Sequence, residues 1–325
     1  MKALIAKEAA LTLEEREAPR LTSGEILVRV SACGLSREDL PGLLQAQGKI
    51  IGREITGIVK EAADARFEAF VGKRVVLIPY RTCEGCLYCR TNRKPLCESL
   101  VWQGYADTQG KQALDGGAAE WIKVWGAQAL PVDDGLSDAQ LGCVPVYAAA
   151  LAAARKSEYL YAEHTAVLGS GALGLALAEV LRSMGSAAVL YIDEDKSRTE
   201  MAQSLGARCA KVLPEDGRVG YRTVFDTVCT ASSQRTALEL TREKGSVINC
   251  ACGKEEVPYL LRDLNGERSI CSVGGPQEKD YYDALRMLAA GRLSASFAGR
   301  AYSLADFDEA IKDLCHGAPR AVVMP

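Results

Sequence analysis

The chain of 325 residues is expected to be an α/β protein of two domains, one leaning to all-β structure and the other a doubly wound parallel sheet. Three observations predict this. The length exceeds what one hydrophobic core usually supports. From about residue 160, short apolar runs alternate with stretches of helical periodicity, which specifies a mostly parallel sheet covered on both faces. The first 140 residues instead carry short β-branched runs separated by Gly, Pro and charged turns.

In chain order, Ile26–Val30, Ile55–Lys60 and Arg74–Ile78 read as strands of the β-leaning domain. The second half opens with a strand at Thr165–Leu168 and an apolar helix at Ala172–Met184. A strand at Ala187–Ile192 and a helix at Lys196–Leu205 follow, then short strands at Ala210–Leu213 and Thr223–Val228. A helix near Gln234–Arg242 and strands at Ser246–Cys250 and Ser269–Val273 complete the alternation. The tail returns to helix at Tyr281–Ala290 and ends in a strand at Ala321–Met324.

Four cysteines, Cys83-x2-Cys86-x2-Cys89-x7-Cys97, sit in a polar, loop-like stretch. Thiolates this close repel one another unless a cation neutralises them, and tetrahedral zinc with four sulfur ligands does so. Such an ion has no open position, so it holds a loop together and performs no chemistry. The ferredoxin run places its fourth Cys after three residues and follows it with Pro, whereas here the gap is seven and Glu98 follows. Zinc is the expected ligand.

Gly169-Ser-Gly171-Ala172-Leu173-Gly174 lies between a strand and a helix, the context a dinucleotide-binding turn requires. Gly169 permits the tight turn, Gly171 lets backbone approach a pyrophosphate, and Gly174 allows close helix–strand packing. Asp193 ends the next strand, nineteen residues past Gly174, where an acid accepts hydrogen bonds from a ribose 2′-hydroxyl and repels a 2′-phosphate. NAD is therefore favoured over NADP. Arg198 works against this, because a nearby guanidinium can pair with a phosphate.

A net charge of −3, from 39 basic and 42 acidic residues without a basic block, argues against nucleic acid as a partner. The apolar run at the start breaks at Lys7, so no signal peptide fits, and Val144–Ala154 and Ala166–Leu181 are too short or too Gly-interrupted to span a bilayer. Twelve cysteines without an export signal suggest a reducing compartment, so a soluble cytoplasmic protein with a small-molecule substrate is expected.

Together these residues resemble the medium-chain dehydrogenase/reductase superfamily, in its zinc-containing alcohol dehydrogenase-like branch. Glu25-Ile-Leu-Val-Arg-Val-Ser-Ala-Cys-Gly34, Gly52-Arg-Glu-Ile-Thr-Gly57, Gly72-Lys-Arg-Val-Val76, Asp115-Gly-Gly-Ala-Ala-Glu120 and Ser204-Leu-Gly-Ala207 join the cysteine lobe and the glycine motif in carrying the likeness. The resemblance implies a GroES-like β domain built from both chain ends (1–140 and 275–325), with a structural zinc in a lobe at about 81–100. It also implies an inserted Rossmann domain (141–274) in which position 198 contacts the adenosine ribose. A homodimer or homotetramer through the Rossmann domain is expected.

Departures from the family pattern bear on the chemistry. The first catalytic zinc ligand, a Cys, falls on Ser36, and the proton-relay hydroxyl two residues on falls on Glu38. The second ligand, the His of Gly-His-Glu, is Arg53 in Gly52-Arg53-Glu54, and Cys143 is the one candidate for the third. A guanidinium does not bind zinc and a Ser hydroxyl is a poor ligand for it. Neither of the two histidines, His164 and His316, lies in these motifs.

Three readings stay open. In the first, hydride transfer to or from a small carbonyl, alcohol or conjugated alkene runs without catalytic zinc. Arg53 then acts as electrostatic stabiliser, Glu38 as general acid/base and Tyr147 as a secondary proton-donor candidate, with Ser36 and Glu54 lining the site. Arg53 and Glu38 could instead pair with each other, or with Glu54 and Asp39, and fill a vacated site. In the second, Cys143, Glu54 and Asp39 hold a rearranged metal. In the third, the chain binds a dinucleotide without catalysis.

Overall fold

The structure, a computed structural model, describes residues 1–325 except 8–9, 38–39, 41–47, 105–113, 133–134, 159–160, 170, 211–219, 252 and 254. Two compact units divide the chain, one formed by Met1–Pro145 with Gln277–Pro325 and the other by Val146–Pro276.

The first unit is built on a mainly antiparallel sheet whose strands run in the order Arg300–Ser303, Arg320–Met324, Glu25–Ser36, Glu54–Ala62, Arg74–Leu77 and Ala129–Pro131. Trp121–Trp125 pairs with the first half of Glu25–Ser36. That long strand alternates buried and exposed residues over its first part, as a sheet with one solvated face should, and is buried throughout from Ala32 to Ser36. Its core side includes Ile26, Val28, Ile55, Val59, Val75 and Val323. An amphipathic helix, Phe307–Cys315, packs Ala310 and Leu314 into this core.

The strands extend beyond the expected Ile26–Val30 and Ile55–Lys60, because Gly34 and Ser36 continue the pairing despite low β propensity. The sequence reading did not identify the hairpin of Lys2–Lys7 and Ala10–Glu15 or the helix Phe307–Cys315. The register then does chemical work. Gly34 lies opposite Glu54 on one neighbouring strand, and Ser36 opposite Arg320 on the other.

The second unit carries a six-stranded sheet, parallel throughout, with strands in the order Arg208–Ala210, Ala188–Ile192, His164–Leu168, Tyr221–Asp226, Thr241–Asn249 and Ser269–Ser272. Numbered along the chain this is 3-2-1-4-5-6, the doubly wound dinucleotide-binding order. Its central strands are apolar on both faces, with Ala166, Val167, Val224, Phe225, Val247 and Ile248 fully buried.

Helix Gly171–Ser183 follows the glycine motif as expected. The next two elements shift. Helix Ala231–Leu240 starts three residues before the expected Gln234 because Thr230 caps it, accepting from the Ser233 N–H. The short strand expected at Ala210–Leu213 is Arg208–Ala210, and residues 211–213 lie outside the described part. Among the described residues no helix is long and apolar enough to cross a membrane.

Candidate active site and metal centre

The four predicted metal cysteines converge. Cys86 occupies the position before the short helix Leu87–Arg90, which carries Cys89, and Cys97 ends the turn at Lys94–Leu96. Their Sγ atoms all lie within 4.8 Å of one another. The separations are 3.5 Å for Cys83–Cys97, 3.6 Å for Cys86–Cys89, 3.9 Å for Cys83–Cys89 and 4.0 Å for Cys86–Cys97. A tetrahedron with Zn–S bonds of about 2.3 Å has edges of about 3.8 Å, so the cage fits zinc. Backbone N–H groups of Cys89 and Glu98 bring the Cys86 thiol down to about 6, whereas burial pushes Cys89 up to about 12.

In the second unit the three glycines of the motif stand where a side chain fits poorly. Gly171 has φ of +80°, a conformation that L side chains rarely adopt. A Cβ on Gly174 would lie 2.9 Å from Gly169 Cα, so close helix–strand packing requires the glycine there. Gly169 answers a different demand: a Cβ on it would lie 2.3 Å from the Tyr191 ring. Ala172 is buried and Leu173 half-buried in the first turn of the helix, and Ser170 lies outside the described residues. Glycines at these positions let backbone N–H groups at the mouth of the helix approach a pyrophosphate.

Asp193 is buried and committed. Its Oδ2 accepts from Arg198 Nε at 2.8 Å and from the Tyr191 hydroxyl at 3.1 Å, while Oδ1 accepts from Arg198 Nη2 at 2.8 Å and the Asp195 N–H at 2.9 Å. The hydrogen bond to Asp193 holds the Arg198 pKa above its ordinary value. The two residues expected to meet a ribose separately therefore form one bidentate pair.

Back in the first unit, Ser36, at the position of the family's first zinc ligand, adjoins a buried ion pair. Ser36 Oγ donates to Glu54 Oε1 at 2.6 Å, and Arg320 Nε donates to Glu54 Oε2 at 2.5 Å. Arg320 spends its remaining nitrogens on the Ala298 and Gly142 carbonyls, at 2.6 and 2.7 Å. The cluster is buried, with Arg320 1% and Glu54 3% exposed. Burial acts to lower the Arg320 pKa, but Cys143, Glu54 and Cys33 around it outweigh that and hold it above its usual range. Gly34 makes room, since a Cβ there would lie 1.9 Å from Arg320 Nη2.

Ser36 and Glu54 bond each other, and Glu54 also bonds Arg320. Such donors do not fit a catalytic zinc ion, which needs three protein ligands with available lone pairs. Ser36 points its proton at Glu54, both Glu54 oxygens are engaged, and Arg53 is a cation. A guanidinium lies beside Cys143. Glu38 and Asp39, the expected acid/base and alternative ligand, lie outside the described residues.

Tyr147, the secondary proton-donor candidate, is fully buried and its hydroxyl donates to Glu179. His164 and His316 are exposed, at a strand start and a helix end.

Arg53 is half-buried beside Gly52, whose φ of +92° and close approach to Cys33 Sγ leave no space for a side chain. Its charge acts on the phenol of Tyr281, a residue that sequence reasoning missed. Tyr281 is fully buried, and its hydroxyl is the one buried side-chain polar atom without a hydrogen-bond partner among the described residues. Burial drives its pKa well up, with Arg53 acting in the opposite sense. No periodicity marks it, because an aromatic on an amphipathic helix reads as core.

Comparison with known proteins agrees with this fold. The alcohol dehydrogenase GroES-like domain family matches residues 22–134, and the zinc-binding dehydrogenase family matches residues 172–290. The chain belongs to the zinc-containing alcohol dehydrogenase-like branch of the medium-chain dehydrogenase/reductase superfamily, a group of NAD(P)-dependent oxidoreductases. It is 29% identical over 316 residues to an alcohol dehydrogenase of Geobacillus stearothermophilus, covering 90% of each chain. An alcohol dehydrogenase structure from Escherichia coli with bound NADH superposes with a TM-score of 0.89 at 20% identity, over 100% of this chain and 99% of that one. A zinc-binding dehydrogenase from Sinorhizobium meliloti bound to NADP superposes at 0.87 with 22% identity, over the same shares.

Proposed function

We propose that this protein transfers a hydride between a nicotinamide dinucleotide and a small carbonyl, alcohol or conjugated alkene, without a catalytic metal and with one structural zinc. The observation that carries the reading is Ser36, at the position of the family's first zinc ligand, donating to the buried Glu54–Arg320 ion pair. It leaves Arg53, at the position of the family's histidine ligand, as a fixed cation.

A bound nicotinamide supplies or accepts the hydride. The protein's own part is electrostatic. When a hydride reaches a carbonyl carbon, the C=O π pair moves onto oxygen, and Arg53 stabilises that developing charge as a preorganised donor. Glu38, the acid/base expected from the sequence, passes the proton to that oxygen. Run backwards, the same groups take the proton from an alcohol. Zinc at Cys83, Cys86, Cys89 and Cys97 keeps the lobe folded and takes no part in this chemistry.

Screening short carbonyls, alcohols and enones with NAD(H) and NADP(H) tests the reading, in protein treated with a chelator that leaves the four-sulfur site loaded. Chelator-insensitive turnover of at least one class is expected. No turnover across the panel, with coenzyme still binding, would make a non-catalytic dinucleotide-binding protein the better reading.

A further inference from the structure

In a doubly wound dinucleotide-binding unit the acid that ends the second strand of the parallel sheet hydrogen-bonds the ribose 2′-hydroxyl of NAD when its oxygens are free to accept. Here the acid is not free. A carboxylate offers about four lone-pair sites, and Asp193 has four donors on it: Arg198 Nε, Arg198 Nη2, the Tyr191 hydroxyl and the Asp195 N–H. The pair is desolvated, with side-chain exposures of 7% for Arg198 and 3% for Asp193. An incoming 2′-hydroxyl therefore has to displace a buried bidentate guanidinium or a buried phenol.

Tyr191 is the unexpected member. It is fully buried, and its ring lies against Gly169 so closely that a side chain at Gly169 would collide with it. Burial first, and then Asp193, push its pKa well up, so it stays protonated and acts as a donor. Arg198 in turn cancels the Asp193 charge that would repel a 2′-phosphate. On its other edge it faces Asp195 at 3.5 Å, a more exposed carboxylate that also caps the following helix through the Arg198 N–H.

We propose that Tyr191 and Arg198 set coenzyme selectivity by saturating Asp193, so that this chain binds NADH and NADPH with similar affinity. The inference rests on the reading above that the glycine turn of this unit holds a dinucleotide. Tyr191 becomes a specificity residue through Asp193, without touching the coenzyme chemistry.

Fluorescence titration of the full-length protein with NADH and NADPH tests it, with no turnover required. The expected ratio of dissociation constants is within about tenfold, where a single hydrogen bond to a charged group is typically worth tenfold or more. Tyr191→Phe keeps the ring and frees one acceptor on Asp193, so NADH should bind about three- to tenfold tighter with NADPH unchanged. Arg198→Ala should widen the NADH preference beyond about thirtyfold by tightening NADH. Thermal unfolding of both variants checks that the fold is kept, and the isosteric Tyr191→Phe carries the test if Arg198→Ala does not fold.

Wild-type protein that favours NADH by a hundredfold would overturn the inference and leave the oxidoreductase reading intact. So would a Tyr191→Phe variant with unchanged NADH affinity, or an Arg198→Ala variant that acts only by weakening NADPH. Failure to bind either coenzyme would overturn both.

Discussion

Arg53→Ala should lower kcat/KM on an identified substrate by on the order of 10²–10³, the usual cost of losing one preorganised electrostatic donor. The expected loss falls mainly on kcat, because the charge it stabilises develops only as the hydride moves. Coenzyme affinity should stay unchanged, since Arg53 belongs to the β unit and the glycine turn to the other. Arg53→Lys should recover only part of the activity, as a point charge lacks the planar fork of donors. Steady-state kinetics with a coenzyme titration separates these effects, and full turnover in Arg53→Ala would remove Arg53 from the mechanism.

The largest stability effect is expected at Arg320. Arg320→Met leaves the Glu54 carboxylate buried with only Ser36 for company, and breaking a buried pair from one side typically costs about 3–5 kcal/mol. Removing both charges with Glu54→Leu and Arg320→Met should return most of that loss, because the desolvation penalty goes with the charges. Trp102, Trp121 and Trp125 are the three tryptophans of the chain and all lie in the β unit, so their fluorescence in urea follows this unit alone. A single variant with the wild-type midpoint would show that the ion pair contributes little.

Much of the second unit was legible in the sequence because its signals are local. A glycine turn between a strand and a helix, and an acid at the end of the next strand, are fixed by spacing along one βαβ unit, and the observed 3-2-1-4-5-6 order agrees with it. The cysteine cage was legible for the same reason, its four ligands falling within fifteen residues of chain. Missing zinc ligands at Ser36 and Arg53 could also be read position by position.

What replaced them could not. Arg320 is 266 residues from Glu54 in sequence and meets it only through the register of two antiparallel strands. Its one sequence signal is a charged residue opening the apolar run Ala321–Val323, which reads equally as a strand end. Tyr281 and Tyr191 looked like core aromatics. Only the positions of their hydroxyl groups, one without a hydrogen-bond partner among the described residues and the other on Asp193, distinguish them. Asp193 itself was found at the right place, but its four donors were invisible to spacing.

The central claim is that zinc here is structural only, and X-ray absorption at the zinc edge, with metal analysis of the same purified and catalytically competent sample, tests it most directly. The account predicts one zinc per chain in a shell of four sulfurs at about 2.3 Å, with activity unchanged when loosely bound metal is stripped. Two tightly held equivalents, with oxygen or nitrogen in the average shell and activity lost with the second, would contradict it.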